Sequence, residues 1–457
     1  MVGVLKVNSV RKFTYMQLLM LQISIALAVY FFPFSSKILF VAIAGLLLFW
    51  IIINSNKNDE ALIAAAYIVG AEVFFRMSKG LIFYESGKYL VILFLLFGLL
   101  YKGTSRQSIP YWIYLFLLIP GILFSAINLS HEVDVRKAVS FNLSGPITVG
   151  IVGVYCFFRK ITTEKLHQIM LAALLPLVTL VFYLLIYTPS LQDSLMGTSS
   201  NFAASGGFGP NQVATVVGLG IIILFIRLFT VKSRLVNIID AVLVIFFCYR
   251  GLATFSRGGM ITAVICIIGF LAVYFYYSDV YTKAKLFPKL FLVGALIAFT
   301  WVYTSLVTGG LIDKRYKNQD AAGRLKEDIT TGRAEVMTSE IEAFLENPIT
   351  GVGVGKVKEY REEQTGISIA THNEISRILS EHGLFGLFAF LIILLSPLIY
   401  WIRYRPGIYF FSFYFFWLLT IIHSSMRLAA PAFIYGLCLL YVINEKNTLH
   451  RKPVKFR

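Results

Sequence analysis

Three features of this sequence predict an all-α polytopic membrane protein. The chain of 457 residues is 58% hydrophobic and only 14% charged, whereas a soluble protein carries about 25% charged residues. Apolar runs recur from one end to the other, many close to the roughly 20 residues that a helix needs to cross a hydrocarbon core. The runs are apolar on every side and tolerate Gly and Pro within them. They therefore read as helices, and not as the alternating strands of a barrel.

Runs at 15–32, 38–53, 61–76, 88–101, 110–127, 143–158, 168–187, 211–226, 236–250, 259–277, 290–308, 378–400, 408–422 and 429–443 are the candidate spans. Several are short, so the expectation is about 12–14 transmembrane helices in a single integral membrane domain covering residues 1–457. Lys6, Arg11 and Lys12 precede the first run as in a signal peptide. No small-x-small cleavage site follows Phe31-Phe32-Pro33, so the run reads as an uncleaved first span. Cys156, Cys248, Cys266 and Cys438 all lie in apolar runs without CxxC spacing. They read as small apolar residues, with neither a disulfide nor a metal site.

A net charge of +17 would point a soluble protein toward nucleic acid. Here the placement of the charge argues for topology instead. With the N-terminus in the cytoplasm, the inside segments carry 22 Lys and Arg and the short outside loops nine. That bias predicts both termini inside. The long segment 309–377 then lies outside, although loops of this length obey the rule poorly.

Two outside segments stand out. The Ser/Gly-rich stretch 188–210 lacks a basic residue and resembles a lid. Within 309–377, Ala334, Met337, Ile341, Phe344 and Leu345 form one stripe at helical spacing. Pro348 and the glycines after it end that helix, which is expected to lie along the membrane surface and cap a cavity.

The side chains that could carry chemistry gather on the outer side. "GVGVGK" at 351–356 lacks a preceding strand and a Lys-Ser/Thr pair, so it reads as a turn and not a phosphate loop. Arg257 in "SRGG" opens a span. It is either an interfacial arginine or a phosphate ligand beside an uncapped helix N-terminus. Arg333 begins the amphipathic helix and is either a solvated cation, with Glu335 as a local partner, or a second grip on a diphosphate. His372 stands where the long loop returns to the membrane. It is either a structural hydrogen-bonding group or a base for a hydroxyl nucleophile. Asn373 follows it, and Glu381 and His382 lie further along the same helix. Gly383 and Gly386 read as a small-residue packing face. Glu72 and Arg76 read as an i, i+4 ion pair, while Arg136, His423 and Arg427 are further charges that could line the same cavity.

With these residues in view, the chain resembles the bacterial O-antigen ligase and polymerase superfamily. The resemblance rests on "GPNQVA", "SRGG", "TGR", "ENPITGVGVG" and "THNEISRILSEHGLFGLF", spread over roughly 200–390. The ligase signature of His-Asn, nine residues, Gly, two residues, Gly is met by His372, Asn373, Gly383 and Gly386. The family's Arg-x3-Leu pattern is met by Arg333 but has Met337 in the Leu position.

The resemblance implies a GT-C-like, metal-independent, inverting glycosyltransferase of the bacterial inner membrane with a periplasmic active site and no cofactor. It implies a glycan donor on undecaprenyl diphosphate, an acceptor such as lipid A–core, and surrounding membrane lipid. Arg257 and Arg333 would bind the donor diphosphate, and His372 would activate the acceptor. Asn373, Glu381, Arg136, His423 and Arg427 are possible supporting residues. A repeat-unit polymerase remains an alternative, and a lipid-linked glycan flippase or transporter a more remote one. The flippase would show inverted repeats and broken midplane helices, which the sequence does not display.

Overall fold

The computed structural model describes residues 12–130, 134–188, 197–326, 332–366, 371–405, 407–424 and 426–443. Lys6, Arg11, residues 189–196 of the lid-like stretch and the basic C-terminal segment lie outside the described residues.

The chain is helical, and the apolar runs set its elements. These are α1 (Lys12–Phe31), α2 (Ser35–Asn54), α3 (Glu60–Met77), α4 (Ser86–Lys102), α5 (Ile109–Leu117), α6 (Ile119–Asn128), α7 (Val135–Cys156), α8 (Thr163–Tyr187), α9 (Pro210–Thr230), α10 (Arg234–Ala253), α11 (Arg257–Tyr277) and α12 (Val280–Val307). Two short helices, α13 (Leu311–Tyr316) and α14 (Arg333–Glu346), precede α15 (Lys356–Thr365). They are followed by α16 (Glu374–Tyr404), α17 (Phe410–His423) and α18 (Ala429–Cys438).

Among the described residues, ten helical stretches are long and apolar enough to cross a membrane, fewer than the 12–14 expected. Each expected run nonetheless contains a helix, although the last, 429–443, is helical only to Cys438 and ends in a strand. α17 and α18 are shorter apolar helices, α4 has 17 residues, and α3 carries Glu60, Glu72 and Arg76 in its 18 residues. The run 110–127 is divided into α5 and α6 at Leu118.

The bundle is graded from centre to rim. α9 is buried along its whole length, while α2 and α12 are largely exposed. Exposed apolar rims suit a lipid solvent, in which hydrophobic burial does not drive helices together. Contact there depends on close approach. Thus Gly259 of α11 meets the Ala214 backbone of α9, where a Cβ would not fit.

Several buried charges are paired. Arg76 binds Glu72 at 2.6 Å, as expected, and also Gln212 at 3.1 Å. Arg227 binds Asp240 at 2.9 Å, and the Tyr15 hydroxyl donates to the same carboxylate. The two strands β1 (Lys160–Thr162) and β2 (Tyr441–Ile443) pair in parallel. They fasten the C-terminal end of the described chain to the α7–α8 connection. Tyr15, at the start of α1, reaches Asp240 near the start of α10. Both ends of the described chain therefore sit at the same end of the bundle, opposite the junction of α10 with α11.

α16 is broken at Gly383, which has φ 60° and ψ −139°. The break frees the carbonyls of Ser380 and Glu381, which accept the amides of Val352 (2.9 Å) and Gly353 (3.2 Å). In return, the Leu384 amide donates to the Pro348 carbonyl at 2.7 Å. A Cβ on Gly383 would lie 2.5 Å from the Ile349 carbonyl oxygen. Gly383 therefore serves a break and a close loop contact, which replaces the helix-packing role expected from sequence. Gly351, Gly353 and Gly355 all have positive φ, so "GVGVGK" is a turn. It lies between α6 and α16, with the Gly355 amide on Glu381 Oε1 at 2.8 Å.

Candidate active site

At the end of the bundle where α10 meets α11, a cavity of about 380 Å³ opens between α9, α11, α13, α14, α16 and α17. Arg257 enters it as the first residue of α11. The preceding turn runs through Phe255 at φ 57°. Ser256 makes no side-chain cap; its hydroxyl donates instead to Asn211 Oδ1 of α9 at 2.7 Å. The first amides of α11 therefore lack a side-chain acceptor, the arrangement that favours an anion. Gly258 leaves room for the His423 ring, which would lie 2.5 Å from a Cβ there.

Arg333 enters the cavity from the first position of α14, after Gly332 in the left-handed region. A third guanidinium, Arg315 of α13, completes the cationic wall. Its Nε donates to the Phe255 carbonyl at 2.9 Å, and α13 is held to α12 by Trp301 Nε1 donating to Asp313 at 2.9 Å. Among the described residues none of these three arginines is in an ion pair. Burial lowers the Arg333 pKa, with the Arg257 charge adding to the effect. Burial also lowers that of Arg315, with Arg257 and Arg333 adding to it. The three therefore share one field, which an anion would relieve.

Opposite stand His372 and Asn373. Asn373 caps α16, its Oδ1 accepting the Ile375 amide at 2.9 Å. The His372 backbone is fixed from both flanks of Thr371. The Thr371 hydroxyl donates to Glu340, and its carbonyl accepts from Arg427. Glu340 also binds Arg361 at 2.7 Å and accepts from Ser376. Burial raises the Glu340 pKa, against the hydrogen bonds from Ser376 and Thr371 and the charge of Arg361.

The structure thus brings Arg257, Arg333, His372, Asn373 and His423 to one cavity. It separates the other expected supporting residues from it. Glu381 is buried in α16, paired with Arg377 at 2.5 Å. Arg136 is exposed on α7 and lines neither this cavity nor its neighbour. Arg427 acts behind the His372 segment and does not line the cavity. Glu335 forms no ion pair with Arg333. His382 lies buried beneath Gly121.

α14 turns its polar face inward and leaves the apolar stripe exposed, in keeping with a helix expected to lie along the membrane surface. Val336, Ser339, Glu340 and Ala343 are buried, while Met337, Ile341 and Leu345 are exposed. Arg315 and Asn211 were not singled out from sequence. Arg315 sits in the charged run "DKRYKNQD", where nothing distinguishes it from its neighbours. Asn211 was present within the quoted "GPNQVA", but only its bond to Ser256 reveals its role. Among the described residues, no group of three or more His, Cys, Asp or Glu is placed to hold a metal ion.

Fold and site together define a polytopic membrane protein with a cationic, histidine-bearing cavity at one end of its helix bundle. Residues 241–391, which include all three arginines and His372, match the family model described as O-antigen ligase. Over those residues the chain is similar to the O-antigen ligase family. No curated protein matches it.

Proposed function

We propose that the chain is an O-antigen ligase-like glycosyltransferase that moves a glycan from a polyprenyl diphosphate to an acceptor hydroxyl on the outer face of the bacterial inner membrane. The observation that carries this reading is the meeting of three arginines, none in an ion pair among the described residues, with His372 around one cavity. In the reaction, the acceptor oxygen attacks the anomeric carbon as the bond from that carbon to the diphosphate oxygen breaks. The electron pair leaves with the diphosphate, whose charge Arg257, Arg315 and Arg333 stabilise. The hydroxyl proton passes to His372. Attack opposite the leaving group inverts the anomeric centre.

Ala334 and Met337 line the cavity and belong to the exposed apolar stripe of α14. That continuity supports a donor whose prenyl tail stays in the bilayer. The bias of Lys and Arg toward the opposite end of the bundle supports an outward-facing cavity.

The test is transfer in membranes supplied with a polyprenyl-diphosphate glycan, with and without a lipid A–core acceptor, and with excess EDTA. Acceptor-dependent transfer at unchanged glycan length, insensitive to EDTA, is the expected result. Chain lengthening without acceptor would identify a polymerase. Absence of any new glycosidic bond would end the transferase reading.

A further inference from the structure

A second and larger cavity, of about 1000 Å³, lies behind the His372 segment. The segment is a wall one chain thick. His372 and Asn373 line the cationic cavity, while the residues on either side, Thr371 and Glu374, line the second one.

The two cavities differ in chemistry. Three arginines and one carboxylate face the first. Six carboxylates and four cations face the second, and two of those carboxylates, Glu374 and Glu381, are bound by buried Arg377. The aromatic side of the second cavity is formed by Tyr84 and Phe141, with ring centroids 5.9 Å apart. Arg76 holds Tyr84 from one side, its guanidinium carbon 4.0 Å from the ring centroid. Gln212 donates to the Tyr84 hydroxyl at 3.3 Å. Glu359 and Glu362 of α15 line the same cavity. Glu359 Oε2 is bound to Lys356 at 2.7 Å, but its buried Oε1 has no hydrogen-bond partner among the described residues.

Flat rings and carboxylates in one cavity are what a sugar ring needs. Its C–H face packs on the aromatic surface, and its hydroxyls donate charge-assisted hydrogen bonds to carboxylates. An excess of carboxylates discriminates against phosphate and uronate groups by like charge.

We propose that this second cavity binds a sugar segment of the acceptor glycan, selecting a neutral or amine-bearing segment over an anionic one, and holds it beside the segment that carries His372. The role as acceptor site rests on the transfer reading above; the binding of sugar does not.

The experiment uses the full chain in lipid nanodiscs. Hexasaccharides of glucose, glucosamine and galacturonate are titrated against it, alongside undecaprenyl diphosphate as a probe of the first cavity. The glucose and glucosamine hexasaccharides are expected to bind, with galacturonate weaker by about tenfold or more. Tyr84→Ala, and separately Glu362→Gln at an exposed position, are expected to weaken hexasaccharide binding by a similar factor while leaving diphosphate binding unchanged. Arg333→Ala is expected to do the reverse. The proposal is overturned if no hexasaccharide binds, if galacturonate binds as well as glucose, or if Glu362→Gln and Tyr84→Ala both bind as the parent chain does. Hexasaccharide binding without any diphosphate binding would overturn the transfer reading and leave the sugar site in place.

Discussion

At the scale of single residues, the cavity assigns separable tasks. His372 is half-buried and its ring lies on a cavity wall, so His372→Ala should leave expression and thermal stability intact. Loss of a general base lowers transfer by about 10²–10⁴-fold, and a radiolabelled-glycan assay in vesicles measures it. Near-parental transfer would remove His372 from the chemistry. Arg315→Ala, Arg257→Lys and Arg333→Lys should each slow transfer, the first by about 10²–10³-fold if it stabilises departing charge. The two Lys variants retain the charge but lose the bidentate fork. Full activity in Arg315→Ala would reduce the cationic wall to two members. His372 and Asn373 were legible in the sequence because they stand where the long loop returns to the membrane and open the His-Asn, nine residues, Gly, two residues, Gly pattern. Arg315 was not, because its place depends on a turn at Phe255 and on a six-residue helix that composition does not announce.

At the scale of elements, the apolar runs reveal helices and conceal their irregularities. Gly383 looks like a packing glycine because the residues on both sides continue a helical pattern. Only the loop that takes up the freed carbonyls shows it to be a break. α14 keeps the outward apolar stripe that a helix along the membrane surface requires. In water an apolar stripe turns inward, but beside a bilayer it can turn outward. Ser339 and Glu340 then face protein while Ile341 and Leu345 are exposed. Gly383→Ala should lower the unfolding temperature in detergent, since a positive φ on a residue with a Cβ costs about 1–3 kcal/mol even without the backbone overlap. Gly45→Ala on α2, where a Cβ meets nothing within 4 Å, is the control and should be neutral or stabilising. Equal stability of the two variants would contradict the break.

At the scale of the whole molecule, the fold class follows from composition, whereas which end faces outward follows only from loop charge. Cysteine labelling can test it, because the four native cysteines are all buried and give little background. Leu325→Cys, at an exposed position near the cavity end, should react with a membrane-impermeant maleimide in intact cells. Lys57→Cys, exposed in the α2–α3 turn, should react only after the membrane is opened. The opposite pattern would invert the topology and place the cavity in the cytoplasm. The exchange of hydrogen bonds around Gly383 also bears on biosynthesis. The Pro348–Gly355 loop leaves the ribosome before α16, so its amides have no protein acceptors until the first turns of that helix follow. The loop and the helix can therefore acquire structure only together, as one late unit assembled on spans already in the bilayer. A shortened chain lacking that loop should insert its earlier helices normally and fail at α16.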